Sequence, residues 1–178
     1  MTDTTRESGI PAPSRRALLG AAWSAPVIVA AGTAPAYAAS AAATLVFDTF
    51  VAYPDNYAGA TPNRIKGHVQ IQRPWSATAP AVKSLTVTVP LPVAVAAGSK
   101  AVSVSGTGWA GGSVTGPANG TYSYTFTWTG TLNNTTSSTP ELRFLVKRTD
   151  VAPTVATLTA YVTSPHATPT NRTIEARI

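Results

Sequence analysis

From Thr44 onward, apolar and polar residues alternate with a period of two in short runs that are separated by turn-forming residues. The clearest run is 121–129, where Tyr122, Tyr124, Phe126 and Trp128 share one face and serine or threonine occupies the other. A period of two is typical of a β-strand that is buried on one side. Burial of these rings, at about 1.5–3 kcal/mol each, predicts that this strand lies at the centre of the core.

The same period recurs along the rest of the chain. The other predicted strands are 45–51, 64–73, 82–89, 100–105, 141–147, 155–163 and 173–178. We expect Pro90 and Pro92 to end the third strand, because proline cannot continue a ladder. The glycine-rich bend 106–112 is expected to lie outside any sheet interior. About eight short strands at this spacing predict an all-β, antiparallel β-sandwich of about seven to nine strands, with a small closed barrel as the alternative.

The first 38 residues have a different pattern. Residues 1–13 are polar and are expected to be disordered. Arg15 and Arg16 then open a weakly apolar segment, a predicted helix over about 15–31, which is shorter than the roughly 20 apolar residues of a membrane span. Ala36 and Ala38 form an Ala-x-Ala cleavage site. The sequence therefore predicts a secretory signal peptide over 1–38 and a single domain over 39–178.

The order Ser-Arg-Arg-x-Leu-Leu, which contains Arg15, Arg16, Leu18 and Leu19, resembles a bacterial twin-arginine (Tat) signal. The run from Arg15 to Val27 is similar to the signals of small exported proteins from high-GC Gram-positive bacteria. This resemblance implies that the Tat translocase exports the folded chain, which is then secreted or associated with the cell wall. A Sec signal and an uncleaved membrane anchor are the alternatives.

Composition narrows the chemistry of the predicted domain. Cysteine is absent, which excludes disulfides, thiolate metal sites and a cysteine nucleophile. Residues 39–178 hold ten basic and five acidic residues, a net charge of +5. The basic residues are scattered except for Lys147 and Arg148, so the pattern favours a solvated positive surface over a nucleic-acid site. Such a surface allows weak contact with anionic cell-wall polymers or lipid headgroups.

No pattern of residues indicates an enzyme. Asp48 and Asp55 are more simply explained as turn and strand acids than as paired carboxylates. His68 and His166 have no metal-ligand spacing, and neither a Gly-x-Ser-x-Gly elbow nor a phosphate-binding glycine loop occurs. We therefore expect no catalytic residues, no metal and no cofactor.

Two tryptophans fall in predicted loops, Trp75 after Arg73-Pro74 and Trp109 in the glycine-rich bend. Exposed indole rings stack on sugar faces, so Trp75 and Trp109 are the candidate ligand-binding residues for a glycan. The alternative is that both rings pack over the ends of the sandwich. Trp128, by contrast, belongs to the predicted core.

A family resemblance rests on the order of these segments. A valine-rich strand that ends in proline (86–90) precedes Gly108-Trp109, the aromatic strand, a polar linker and two Thr/Val-rich strands. Over about 82–164 this order resembles the immunoglobulin-like conserved-repeat domains of bacterial cell-surface proteins. The resemblance implies an immunoglobulin-like sandwich with a structural or adhesive role and no catalysis. Those domains form tandem arrays, whereas this sequence has no visible internal repeat.

The resulting hypothesis is an exported or cell-surface, non-catalytic binding or structural module. The alternative is a small carbohydrate- or cell-wall-polymer-binding protein that uses Trp75 and Trp109. Expected partners are a cell-wall polymer or glycan, or another surface protein that pairs with an edge strand. Nucleic acid is not an expected partner.

Overall fold

The computed structural model describes residues 42–55, 63–149 and 154–178, so the predicted signal peptide lies outside the described residues. The described residues form nine β-strands: β1 (Val46–Asp55), β2 (Arg64–Gln72), β3 (Val82–Pro92), β4 (Ser103–Ser105), β5 (Trp109–Ala118), β6 (Thr121–Leu132), β7 (Leu142–Lys147), β8 (Val155–Ser164) and β9 (Ala167–Arg177). Among these residues there is no helix that is long and apolar enough to cross a membrane.

The strands form two antiparallel sheets. One sheet has four strands in the order β1-β2-β7-β4, and the other has five in the order β5-β6-β3-β8-β9. The chain passes from one sheet to the other after β2, β3, β4, β6 and β7. This arrangement confirms the predicted all-β fold, an antiparallel sandwich of the immunoglobulin-like architecture, in place of a single closed barrel.

The core lies between the inward faces of the two sheets. On β6, Tyr124 and Phe126 are fully buried, Trp128 is nearly so, and Tyr122 is partly buried against the core. The ring of Phe126 stacks across the sandwich on Phe144 of β7, with ring centroids 4.6 Å apart and an interplanar angle of 28°. The prediction that the aromatic strand is the centre of the core is confirmed.

Strand β3 continues through both prolines, so the prediction that Pro90 and Pro92 end it is wrong. Both prolines pair with β6, opposite Ser123 and Thr121. On its other side, β3 pairs with β8 only from Thr86 to Thr88. Both prolines therefore lie where β3 is an edge, and there a missing N–H removes no ladder bond to β8.

The glycine-rich bend was expected to lie outside the sheet, but its second half begins β5. Strand β5 pairs with β6, and the register shifts between Gly111 and Ser113. Gly111 and Gly112 both have positive φ, of 104° and 80°. A Cβ at Gly111 would lie 2.9 Å from the carbonyl oxygen of Thr125, so glycine is needed for this bulge to approach β6.

The run 100–105 also differs from the prediction. Only Ser103–Ser105 forms a strand, β4, with Val104 packed against the core. Val102 was expected to point inward, but half of its surface (51%) is exposed. Its amide donates a hydrogen bond to the carbonyl oxygen of Leu145 just before the short strand begins.

Three of the four edge strands are short or interrupted, whereas β9 is an eleven-residue edge of the five-stranded sheet. Strand β4 has three residues, and β5 has two register shifts. Strand β1 has a shift between Phe47 and Thr49, and the Arg172 guanidinium donates to the carbonyl oxygens of Phe47 and Asp48 at 2.9 and 3.0 Å. Edges of this kind resist pairing with another chain, which weighs against addition of a partner strand at β1, β4 and β5.

Candidate functional site

Trp75 lies in the loop between β2 and β3, and 73% of its surface is exposed. The loop folds around the guanidinium of Arg73, whose side chain is buried (2% exposed). Arg73 donates hydrogen bonds to the carbonyl oxygens of Ala79 (2.7 Å) and Pro80 (3.3 Å) and to Oδ1 of Asn134 (2.8 Å). Its charge is thus satisfied by two carbonyl oxygens at the far end of the loop that carries Trp75 and by the side-chain oxygen of Asn134.

Asn134 joins this loop to the one between β6 and β7. Its Oδ1 accepts from the amide of Ser76 at 3.3 Å, and its Nδ2 donates to the carbonyl oxygen of Ser76 at 3.0 Å. The amide of Arg73 also donates to the carbonyl oxygen of Ser137 at 2.7 Å. The backbone is therefore held on both sides of Trp75 while the indole ring stays in solvent.

The burial of Arg73 differs from the solvated positive surface that the scattered basic residues predicted, although the sequence contains a signal for it. Ile65, Val69 and Ile71 set the inward register of β2, and Arg73 is the next residue in that register. Arg148 follows β7 in the same way and is also buried (3% exposed), with Nη2 donating to the carbonyl oxygen of Ile178 at 3.3 Å. Extending the alternation by one step past each strand identifies both residues.

Trp109 is buried (8% exposed), so its predicted exposure is wrong. It is the first residue of β5 and lies opposite Trp128 of β6. Its Nε1 donates a 2.7 Å hydrogen bond to the carbonyl oxygen of Pro140, which gives the polar end of the indole a partner. Trp109 packs at the end of the sandwich, as the alternative interpretation held, and is not available for a ligand.

A second group of polar side chains lies on the outer face of the four-stranded sheet. His68 of β2 shares a 2.9 Å hydrogen bond between its Nε2 and the Tyr53 hydroxyl, and its ring stacks on the tyrosine ring at 5.7 Å. Its Nδ1 lies 3.0 Å from Oε1 of Glu141, whose other oxygen accepts from Nε of Arg143. These hydrogen bonds, first from Arg143 and then from His68, lower the pKa of Glu141 below its usual 4.5.

The structure separates the acids and histidines that the sequence offered as reactive pairs. Asp48 and Asp55 are seven positions apart on one strand, roughly 23 Å, whereas paired catalytic carboxylates lie about 5–10 Å apart. His68 is on β2, and His166 lies between β8 and β9 of the other sheet. Among the described residues, no group of three potential ligands is placed to hold a metal ion.

The chain matches no known family model and no curated protein sequence. Among solved structures it is similar to the major pilin SpaA of Corynebacterium diphtheriae, with 15% identity and a TM-score of 0.45 over 71% of this chain and 34% of the pilin. It is also similar to the collagen-binding domain of a Staphylococcus aureus adhesin, with 10% identity and a TM-score of 0.33 over 71% of this chain and 96% of that domain. The chain thus matches about a third of the pilin's length.

Proposed function

We propose that this protein is exported and acts outside the cytoplasm as a non-catalytic binding module, with Trp75 as its contact residue for carbohydrate. The observation that carries the proposal is the 73% exposure of a tryptophan ring whose loop is held by a buried arginine. The signal-like residues 1–38, with Arg15, Arg16, Leu18 and Leu19, support export.

An indole ring in water exposes a large apolar area, and covering that area releases free energy in proportion to the area removed from water. The apolar face of a pyranose ring covers an indole well. The hydrogen bonds of Arg73 and Asn134 fix the loop before a ligand arrives, so little conformational entropy remains to be lost on binding. A fixed, exposed tryptophan is therefore well suited to be a binding anchor.

Burial of Trp109 leaves Trp75 as the only candidate ring of the original pair. One stacking contact supports weak binding, and a weak contact becomes useful when many sites act together on a repeating polymer. This favours an adhesive role on a polymeric glycan over tight capture of a free sugar.

The experiment measures binding of the purified secreted protein to a glycan array and to isolated cell walls. Trp75→Ala should lower binding at least tenfold while the thermal unfolding midpoint stays within about 1–2 °C, because the exposed ring makes little contribution to the core. The matched control is Tyr161→Ala, which removes a half-exposed aromatic ring (44%) from β8 of the five-stranded sheet. Equal binding by wild type and Trp75→Ala would refute the carbohydrate site.

Export is tested separately. Replacing Arg15 and Arg16 together with lysine should keep the protein inside the cell, because the Tat translocase recognises the arginine pair. The secreted wild-type product should begin at Ala39, directly after the Ala36-Tyr37-Ala38 site. A secreted product that begins at Met1 would contradict the cleavage, and undiminished secretion of the lysine variant would contradict the Tat route.

A further inference from the structure

Sheet pairing adds Lys147 to two cations that already share one face of β2, Arg64 and Lys66. Arg64 of β2 lies directly opposite Lys147 of β7, and Lys66 is the next outward-facing residue on β2. Opposite residues in an antiparallel pair have Cβ atoms about 4.5–5.5 Å apart, and alternate residues along a strand are about 6.6 Å apart. These three residues, hereafter the basic cluster, occupy one end of the outer face of the four-stranded sheet.

The basic cluster carries an excess of positive charge. Asp55 of β1 lies opposite Arg64 in the register, but within the described ranges no side chain of the cluster has an ion-pair partner within 4.0 Å. Glu141, a second acidic residue on this face, pairs with His68 and Arg143. Like charges directly opposite one another destabilise a sheet, so placing Lys147 against Arg64 has a cost in folding free energy. An anionic ligand would offset that cost.

The surface around the cluster favours a linear polymer. The cluster lies on an open sheet face, where charges recur along and across the strands at the spacings given above. Tyr53, the one exposed aromatic ring on the described part of this face, already stacks one of its faces on His68, so the face lacks the row of free rings on which successive bases stack. Val51 and Tyr53 are half-exposed on the neighbouring strand, but two such side chains make only a small apolar patch, unlike the continuous apolar face that enters a bilayer.

From this charge complementarity we infer that the basic cluster is a docking surface for a linear phosphodiester polymer of the cell envelope. The inference rests on the export part of the proposed function and is independent of the Trp75 site. Arg64, Lys66 and Lys147 contact successive phosphates, and contacts of this kind are electrostatic and depend strongly on salt.

The test measures binding of the purified secreted protein to synthetic poly(glycerol phosphate) over a series of salt concentrations. Lys66→Gln/Lys147→Gln should weaken binding roughly thirtyfold at low salt and reduce the slope of log K against log salt by about 1.4–2. The charge-matched control is Lys83→Gln/Arg177→Gln, which removes two exposed cations from the five-stranded sheet. This control should retain most of the affinity.

A fold readout separates ligand contact from a structural role. Lys147→Gln alone should leave the free energy of unfolding unchanged or slightly higher, because it removes the repulsion with Arg64. Trp75→Ala should not change binding to the phosphodiester polymer, so the basic cluster and the Trp75 site are tested independently of each other. The proposal is overturned if poly(glycerol phosphate) does not bind or if both double variants lose equal affinity. Tighter binding to oligo(dT) or to phosphatidylglycerol vesicles would overturn it as well.

Discussion

The packing of Phe144 over Gly67 offers the sharpest test of the fold. Gly67 lies in the inward register of β2 between Ile65 and Val69, directly opposite Phe144 of β7. A Cβ at position 67 would lie within 2.5 and 2.6 Å of the two Cε atoms of Phe144, far inside the roughly 3.5–4.0 Å of a normal carbon contact. Gly67→Ala is therefore a one-carbon test of whether the ring covers the strand.

The size of the effect follows from the lack of room for the ring to move. Phe144 is 1% exposed, and its ring also stacks on Phe126 at 4.6 Å. Overpacking of this kind costs about 1–3 kcal/mol. Gly67 does not have positive φ, so alanine should recover about 0.4–1 kcal/mol through the unfolded chain. We expect a net loss of about 1–2 kcal/mol in the free energy of unfolding.

The assay is urea unfolding followed by tryptophan fluorescence, since Trp109 and Trp128 are buried in the native state. A double-mutant cycle with Phe144→Leu supplies the control. With the ring shortened, the same Gly67→Ala change should be neutral or stabilising, so the two changes should couple by about 1–2 kcal/mol. An equal loss in both backgrounds would refute the packing of Phe144 over Gly67.

Three further changes test the loops and the outer face. Arg73→Met should lower the free energy of unfolding by roughly 2–4 kcal/mol and weaken glycan binding, because it removes the guanidinium that holds the Trp75 loop. Unchanged glycan binding would contradict the role of Arg73 in holding that loop. Trp109→Phe should lower the free energy of unfolding by about 1–2 kcal/mol in the same urea assay, because the hydrogen bond to Pro140 is lost, and glycan binding should be unchanged. Reduced glycan binding would show that Trp109 contributes to the binding site. Glu141→Gln should lower the free energy of unfolding by less than about 1 kcal/mol at neutral pH. This difference from wild type should disappear as the pH falls below 4.5 and passes through the lowered folded-state pKa of Glu141. A difference in stability that persists at low pH would show that it does not depend on ionisation of Glu141.

The alternation of apolar and polar residues along the chain predicted most of the strands and which face of each strand is buried. In β6 it identified Tyr124, Phe126 and Trp128 as core residues, and the structure buries all three. Local periodicity is sufficient here because side chains on a strand point to opposite faces in turn, whichever strand becomes the neighbour. The same rule, carried one step past β2 and β7, also places Arg73 and Arg148 inward, so their burial was accessible from sequence.

Other features depended on which strands became neighbours, and only the tertiary structure decided them. Pro90 is tolerated because β8 pairs with β3 only as far as Thr88. Glycine is required at position 67 because the ring of Phe144 lies over it, and these two cross-strand partners are 77 positions apart in the chain. The basic cluster exists because β2 and β7 pair in one register, which places Arg64 opposite Lys147. Periodicity gives the face of a residue but not its cross-strand partner, and the partner sets local sterics and charge.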